Sequence, residues 1–292
     1  MKILLALDTS QTGDIALEEA AARPWPPGSS IEVVSIIEPT HLWTTSEVAQ
    51  EAADRAGEVV RQAVAHLQSN DLSVSGSVLF GDPKRQILDR AASVGADLII
   101  IGSSGLSAIN RFLVGNAAAT ILRHARCSVA IMRARALRNE GGMKILLAVD
   151  GWEFSAQAAR SIAERPWPAG AEVRILSALQ ILLPAGRALF EVPFIENEVV
   201  ENARAEAMKR SLDAIDDAKK VISAVGLPVS DSVSVLLDNP GEIILNEAAS
   251  WGADLIVLGS HGRHGTDLFL LGSVSEAVAI HAECSVEVIR SV

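Results

Sequence analysis

The sequence predicts an α/β protein built from two tandem copies of one domain, and three observations carry that reading. Met1-Lys-Ile-Leu-Leu-Ala-Leu-Asp8 returns as Met143-Lys-Ile-Leu-Leu-Ala-Val-Asp150, and Arg23-Pro-Trp-Pro26 as Arg165-Pro-Trp-Pro168, each 142 positions on. Gly95-Ala-Asp-Leu-Ile-Ile-Ile-Gly102 returns as Gly252-Ala-Asp-Leu-Ile-Val-Leu-Gly259, and Cys127-Ser-Val129 as Cys284-Ser-Val286, now 157 positions on. Within each copy, short runs of branched apolar residues alternate with longer segments of helical spacing, the pattern of a parallel sheet covered on both faces. Two long units are not a solenoid, which stacks shorter units in greater number.

The first copy reads β-α-β-α-β-α-β-α-β. Lys2–Asp8 is a strand, and Thr12–Ala22 a helix stopped by the Pro-Trp-Pro-Pro-Gly break that ends at Gly28. Ile31–Ile37 is the second strand. Glu47–Gln68 is a long helix with Val48, Ala52, Val59, Ala63 and Leu67 near helical spacing. Val74–Leu79 is a strand, followed by a helix from Pro83, a residue suited to a first helical position. Asp97–Ile101, Asn116–His124 and Ser128–Met132 complete the unit as strand, helix and strand. The second copy repeats this order and ends on a strand at Ser285–Arg290. The change of offset from 142 to 157 puts 15 extra residues between its second and third strands, near Ile181–Asn197. With Pro184, Gly186 and Pro193 around Leu189 and Phe190, that insertion is either a long loop offering a partner surface or a flap over the core. The expected domains are 1–133 and 143–292, joined by an arginine-rich linker over 134–142.

Composition bounds the rest. At 292 residues the chain has room for two well-buried cores. It is 49% hydrophobic, yet no apolar run approaches the ~20 residues of a membrane span. The five-residue apolar run at the start is too short for a signal-peptide core, so a cytoplasmic protein without a membrane partner is expected. Two cysteines, Cys127 and Cys284, make no disulfide framework or metal cluster, and they read as small apolar packing residues. A net charge of −11 argues against nucleic acid as a partner, while leaving room for a small anion at a locally positive loop.

Such a loop is legible from Leu255 to Glu276. A strand, Leu255–Leu258, feeds Gly259-x2-Gly262-x9-Gly272-Ser273, where a helix opens; Ser273 with Glu276 reads as a capping box. Strand, glycine loop and helix start together offer main-chain N–H groups and a positive dipole end to a phosphate. The alternative is that the glycines only shape a tight connection. The first copy keeps the spacing as Gly102-x2-Gly105-x9-Gly115-Asn116, but Asn116 replaces the serine, Leu106 stands at the place of Arg263 and Ser107 at that of His264.

On these residues the chain resembles the universal stress protein family, in its ATP-binding branch, over essentially the whole of both copies. The resemblance implies two flavodoxin-like (HUP-type) domains, each a five-stranded parallel sheet of order 3-2-1-4-5 with ligands at the carboxyl ends of strands 1 and 4, the topological switch point. It implies an adenine nucleotide as ligand, ATP or else ADP or AMP, and a regulatory role in stress response. In the second copy the residues it places at the nucleotide are Asp150, Gly151, Ala178, Leu258, Gly259, His261, Gly262, Arg263, Gly272, Ser273, Val274 and Ser275. The first copy offers Asp8, Ile36, Ile101, Gly102, Gly105, Gly115 and Asn116, and loses a cation and a hydroxyl, so weaker binding is expected there. Asp8 and Asp150 would approach the nucleoside; the plain alternative for each is an N-cap of the next helix.

The histidines His261 and His264, three apart in a loop, have no fixed ligand geometry and are not read as a metal or catalytic pair. His124 and His281 are read as helix C-terminal residues that complement the dipole. Mg²⁺ is expected to accompany a triphosphate, with no protein ligand legible for it. No P-loop and no nucleophile–base arrangement is present, and Asp8-Thr-Ser-Gln-Thr-Gly13 departs from the Ser-Gly-Gly-x-Asp-Ser run of adenylating relatives of the fold. Holding of nucleotide is therefore favoured over turnover, with slow ATP hydrolysis and a scaffold that binds no nucleotide as the competing readings. The last strands lie at a sheet edge in this order, and edges pair. Intramolecular docking of the two copies edge to edge is expected, with a homodimer as a further arrangement and the protein partner unknown.

Overall fold

A computed structural model of the chain describes residues 1–39, 46–68, 72–103, 114–133, 142–180, 197–236, 239–261 and 271–290. The first copy holds β1 (Lys2–Leu7), α1 (Gln11–Ala22), β2 (Ser30–Ile37), α2 (Ser46–Leu67), β3 (Ser73–Phe80), α3 (Pro83–Val94), β4 (Leu98–Gly102), α4 (Asn116–His124) and β5 (Ser128–Met132). The second holds β6 (Lys144–Val149), α5 (Glu153–Ala163), β7 (Glu172–Gln180), α6 (Asn197–Ser223), β8 (Val229–Leu236), α7 (Pro240–Trp251), β9 (Leu255–Gly259), α8 (Ser273–His281) and β10 (Ser285–Ile289). Element boundaries fall within about two residues of those expected, the usual scatter at element ends. Among the described residues, no helix is long and apolar enough to cross a membrane.

All ten strands form one sheet of order β3-β2-β1-β4-β5-β10-β9-β6-β7-β8. Each half runs parallel in the order 3-2-1-4-5, and the halves meet where β5 and β10 pair antiparallel, Val286 with Ile131, Glu287 with Ala130 and Val288 with Val129. The expected edge-to-edge docking is thus present within the chain. Central strands such as β4, β9 and β10 are buried along nearly their whole length, which is why they read as unbroken apolar runs. At the outer edge, β3 is largely exposed and ends on Phe80, half open to solvent.

Helical spacing sets what covers this sheet. Ala56, Val60, Ala63 and Leu67 of α2 are buried, and so are Ser211, Ile215, Ala218 and Ile222 of α6, the same i, i+4, i+7, i+11 stripe in both copies. A Cβ at Gly76 would overlap Val60 and Val64, so that glycine lets α2 lie close on β3. α3 and α7 share their punctuation: a capping Asp82 or Asn239, then proline, then a left-handed glycine at the C-terminus, Gly95 at φ 63° and Gly252 at φ 72°. On the face under α3, α4, α7 and α8, one apolar cluster runs from Leu4 through Ile99, Val129 and Val288 to Leu146, crossing the seam. The opposite face carries two separate clusters, one per copy.

Two arginines fasten the seam reciprocally. Arg133, following β5, donates to the carbonyls of Ala279 and Ile280 in α8 and of Cys284. Arg290, following β10, donates to Leu122 and Arg123 at the end of α4. Their main-chain amides repeat the exchange, Arg133 N–H to Ser285 Oγ at 3.1 Å and Arg290 N–H to Ser128 Oγ at 3.2 Å. Burial pulls the Arg133 guanidinium down to about 10 and lowers that of Arg290. Helix C-terminal carbonyls are natural acceptors for such buried cations.

The inserted region lies at 181–196, outside the described residues, except that Asn197 begins α6. At 27 residues against 22 for α2, that helix takes up part of the second copy's extra length. Most of the linker, 134–141, is also outside the described residues.

Candidate functional site

The switch point of the second copy lies between β6 and β9, which pair up to Ala148 with Leu258. One residue further on they part, Val149 still paired with Ser177 of β7 and Gly259 with Ile289 of β10, before β6 runs into Asp150-Gly151 and β9 into Ser260. Asp150 Oδ1 accepts the Trp152 N–H at 3.0 Å, and Trp152 is the N-cap residue of α5. In the first copy Asp8 Oδ1 accepts the N–H of Ser10 at 3.1 Å and also its hydroxyl, and Ser10 caps α1. Neither aspartate is itself the N-cap, as the plain alternative had it; each holds the capping residue in place from two positions upstream.

The first glycine of the loop motif is required by internal packing. A Cβ on Gly259 would come within 2.6 Å of the Phe154 carbonyl carbon, and one on Gly102 within 2.6 Å of the Thr12 carbonyl oxygen. The start of α5, or of α1, presses on the strand end at this point. Gly151 is glycine for a different reason: its φ is +81°, a left-handed conformation. A Cβ there would also touch the Arg210 stem from α6 at 3.1 Å.

Gly272 is the N-cap of α8, with no side-chain cap bond, and Ser273 is already helical. The expected capping box is therefore not formed. Glu276, three residues on, is bound instead to Arg123 of α4 across the seam. A salt bridge to a cation in the other copy wins over a local bond to a main-chain amide. The Gly272 N–H is used by the Ser260 carbonyl at 2.8 Å, and the Glu276 N–H by the Gly272 carbonyl at 2.9 Å. Between them, the amides of Ser273, Val274 and Ser275 donate to no acceptor among the described residues. They form the first turn of a helix at the carboxyl edge of the sheet, where an unserved N–H triplet and the dipole both attract an anion.

Ser275 contributes its amide and not its hydroxyl. That side chain is buried and donates to the Gly259 carbonyl at 2.7 Å, clipping the helix start to the strand end. Ala118 holds the same place in the first copy, so the clip is absent there. The first copy otherwise matches, with Gly115 as N-cap of α4 and its N–H on the Ser103 carbonyl at 2.7 Å. Asn116 is helical, and its carbonyl accepts the Thr120 hydroxyl at 2.7 Å.

Ala178, Leu258 and Ile101 are buried and Ile36 partly so, all toward the carboxyl ends of their strands. His261 is buried too, its Nδ1 3.0 Å from Ser260 Oγ and its ring against Phe154. Burial, and then the Arg290 charge, hold its pKa below the ordinary histidine value, so it is neutral at neutral pH. Gly105, Gly262, Arg263 and His264, together with Leu106 and Ser107, lie outside the described residues. Among the described residues no cluster of histidine, cysteine or acidic side chains has the form of a metal site. Reading the sequence missed Phe154, Ser155, Ser260 and Arg210. Ser155 signalled itself by replacing Gly13 of the first copy, and its hydroxyl lies 3.4 Å from the Asp150 amide.

These features define an α/β fold in which each half sets a helix start, α4 or α8, just beyond the carboxyl end of its fourth strand. The universal stress protein family model matches residues 1–133 and again 143–290. The chain belongs to the universal stress protein family. A universal stress protein of Mycobacterium tuberculosis (strain H37Rv) is 27% identical over 273 residues, spanning 93% of this chain and 84% of its own. One from Mycolicibacterium smegmatis is 26% identical over 305 residues, spanning 99% and 96%. The crystal structure of a universal stress protein from Archaeoglobus fulgidus shares the fold, with a TM-score of 0.63 at 20% identity, covering 99% of this chain and 96% of that one.

Proposed function

We propose that the protein is an ATP-binding regulatory member of its family that holds adenine nucleotide mainly in the second copy. The observation that carries this reading is the run of three acceptor-less amides at Ser273, Val274 and Ser275, clipped to Gly259 at the end of β9, which neighbours the β6 strand that leads into Asp150. In this reading the phosphates sit on those amides, with Gly262 and Arg263 as further phosphate-binding residues. Asp150 takes a hydroxyl or amine hydrogen of the nucleoside, while Ala178 and Leu258 face the base. Mg²⁺ accompanies the triphosphate and balances its charge. The first copy, with Asp8, Ile36, Ile101, Gly102, Gly105, Gly115 and Asn116, binds more weakly because it lacks the Ser275 clip and the loop cation. The units are 1–133 and 143–292, joined by 134–142, and the setting is the cytoplasm.

Heat or acid release from freshly purified protein, followed by mass analysis, is expected to yield adenine nucleotide, and Gly262→Val to yield much less. Absence of nucleotide from both would favour a scaffold that binds none. Incubation with ATP separates holding from slow hydrolysis, and no turnover beyond a boiled control is expected. Calorimetric titration showing two equally tight sites per chain would refute the asymmetry between copies.

A further inference from the structure

On the sheet face that carries α1 and α5, three buried charged side chains lie at the seam between the two separate cores. Arg23 Nη1 is 3.3 Å from Glu287 Oε2, and Arg165 Nη1 is 2.7 Å from Glu287 Oε1, with all three side chains less than a tenth exposed. The arginines are the same residue of the two copies, the first of the repeated Arg-Pro-Trp-Pro. Both stand over the Trp167 ring, Arg23 Cζ at 6.0 Å and Arg165 Cζ at 5.2 Å. The carboxylate occurs in one copy only. Glu287 corresponds to Ala130, and these two residues pair directly across the seam. A residue that pairs with its own counterpart lies on the two-fold axis relating the copies. One axial carboxylate thus serves two symmetrically placed arginines, one oxygen each.

As a source of stability this knot is poor. Two cations share one anion, Arg23 Nε and Arg165 Nη2 have no acceptor among the described residues, and Glu287 Oε1 meets Arg165 as an ion pair without a hydrogen bond. Apolar residues of similar volume often stabilise such a position better. What a single buried charge does supply is discrimination between pairings.

We propose that Glu287 makes the β5 and β10 edges accept each other and reject a second copy of themselves. Two first-copy edges paired in this register would set Ala130 against Ala130 and bury two Arg23 guanidiniums with no axial carboxylate, leaving each only the Glu19 charge of its own copy. Two second-copy edges would set Glu287 against Glu287, crowding two axial carboxylates into the room that an alanine leaves for one, although two Arg165 guanidiniums would match them in number. Like charges directly opposite destabilise an antiparallel pair, and the room for one glutamate is left by the alanine facing it. Only the unlike pairing puts one carboxylate between two arginines.

The test starts from the whole folded chain and keeps both halves present throughout. A protease recognition sequence is placed within 134–141, the purified protein is cut there, and differently isotope-labelled batches are mixed until the label is randomised between halves. Native mass spectrometry then reads the pairs, since the halves differ in mass. Unlike pairs alone are expected. In Glu287→Ala all three pairings bury two arginines with no axial carboxylate, so like pairs should rise to their statistical share or the halves should part. Ala130→Glu combined with Glu287→Ala moves the carboxylate to the other strand of the axial pair and is expected to restore exclusive unlike pairing. A glutamate that merely filled a local core position would not be rescued in this way. If Glu287→Ala fails to fold, Glu287→Gln keeps the shape, removes the charge and is read identically. Like pairs at statistical share in the unmutated sequence, separation of its halves, or a swap variant that sorts like Glu287→Ala would each overturn the proposal.

Discussion

The bond Asp150 makes to the Trp152 amide and the ligand role proposed for it are separated by one substitution. Its Oδ1 holds the Trp152 amide, and an asparagine in its place would keep that bond while losing the charge. Asp150→Asn is expected to leave thermal stability nearly unchanged and to weaken ATP binding by about tenfold, the scale of one lost charged hydrogen bond. Isothermal titration checks this, and an unaltered affinity would remove Asp150 from the ligand. Ser275→Ala strips the Gly259 carbonyl of its buried donor and should cost about 1–2 kcal/mol in chemical denaturation. Ala118 already occupies that place in the first copy, where introducing serine is the matching gain-of-contact variant. The Cys127 thiol is pushed up to about 11 by burial, from an ordinary 9.0. The folded state therefore keeps its proton where the unfolded chain loses it. The stability associated with this group is complete below about pH 9 and is lost as pH rises through about 11. Melting temperatures measured across that window should fall less steeply for Cys127→Ala than for the unmutated chain. Glycine spacing was legible because it repeats. The reason for Gly259 and Gly102 was not, because the pressing atoms belong to residues far away in sequence.

At the scale of elements, repetition made the strands and helices readable, since each local signal was written twice. The αL glycines Gly95 and Gly252 and the prolines Pro83 and Pro240 fixed helix ends from local chemistry alone. The capping box at Ser273 failed because a local pattern cannot register a competing partner, here Arg123, that folding brings from the other copy. The clamping arginines Arg133 and Arg290 went unread for the same reason, although they recur at the offset of the cysteines. Each delivers a buried guanidinium to the last carbonyls of a helix it does not belong to. Replacing either by methionine should cost about 2–3 kcal/mol, as for hydrogen bonds made by charged groups. Urea titration of the two single variants checks this, with similar losses expected because the contacts are reciprocal. A loss confined to one variant would show that the clamps are not equivalent.

For the molecule as a whole, the continuous core under α3, α4, α7 and α8 joins the halves mechanically. Leu146→Ala removes a fully buried side chain from that cluster and should cost about 2–5 kcal/mol. The loss should appear as one shifted unfolding transition, because the damaged cluster belongs to both halves. A transition that splits in two, with one part unmoved, would show that the halves melt independently. The order of strands across the chain followed from the resemblance, and the docking edge from the general tendency of exposed edges to pair. What no local pattern could convey was the single glutamate that unlike halves share. The antiparallel join at β5 and β10 also has a geometric corollary. Strands of the two halves point in opposite directions, so their crevices open on opposite rims of a common plate. A nucleotide in one cannot touch its neighbour in the other, and any message between them must travel through the packed side chains of β4, β5, β10 and β9 or along the arginine-tied helices.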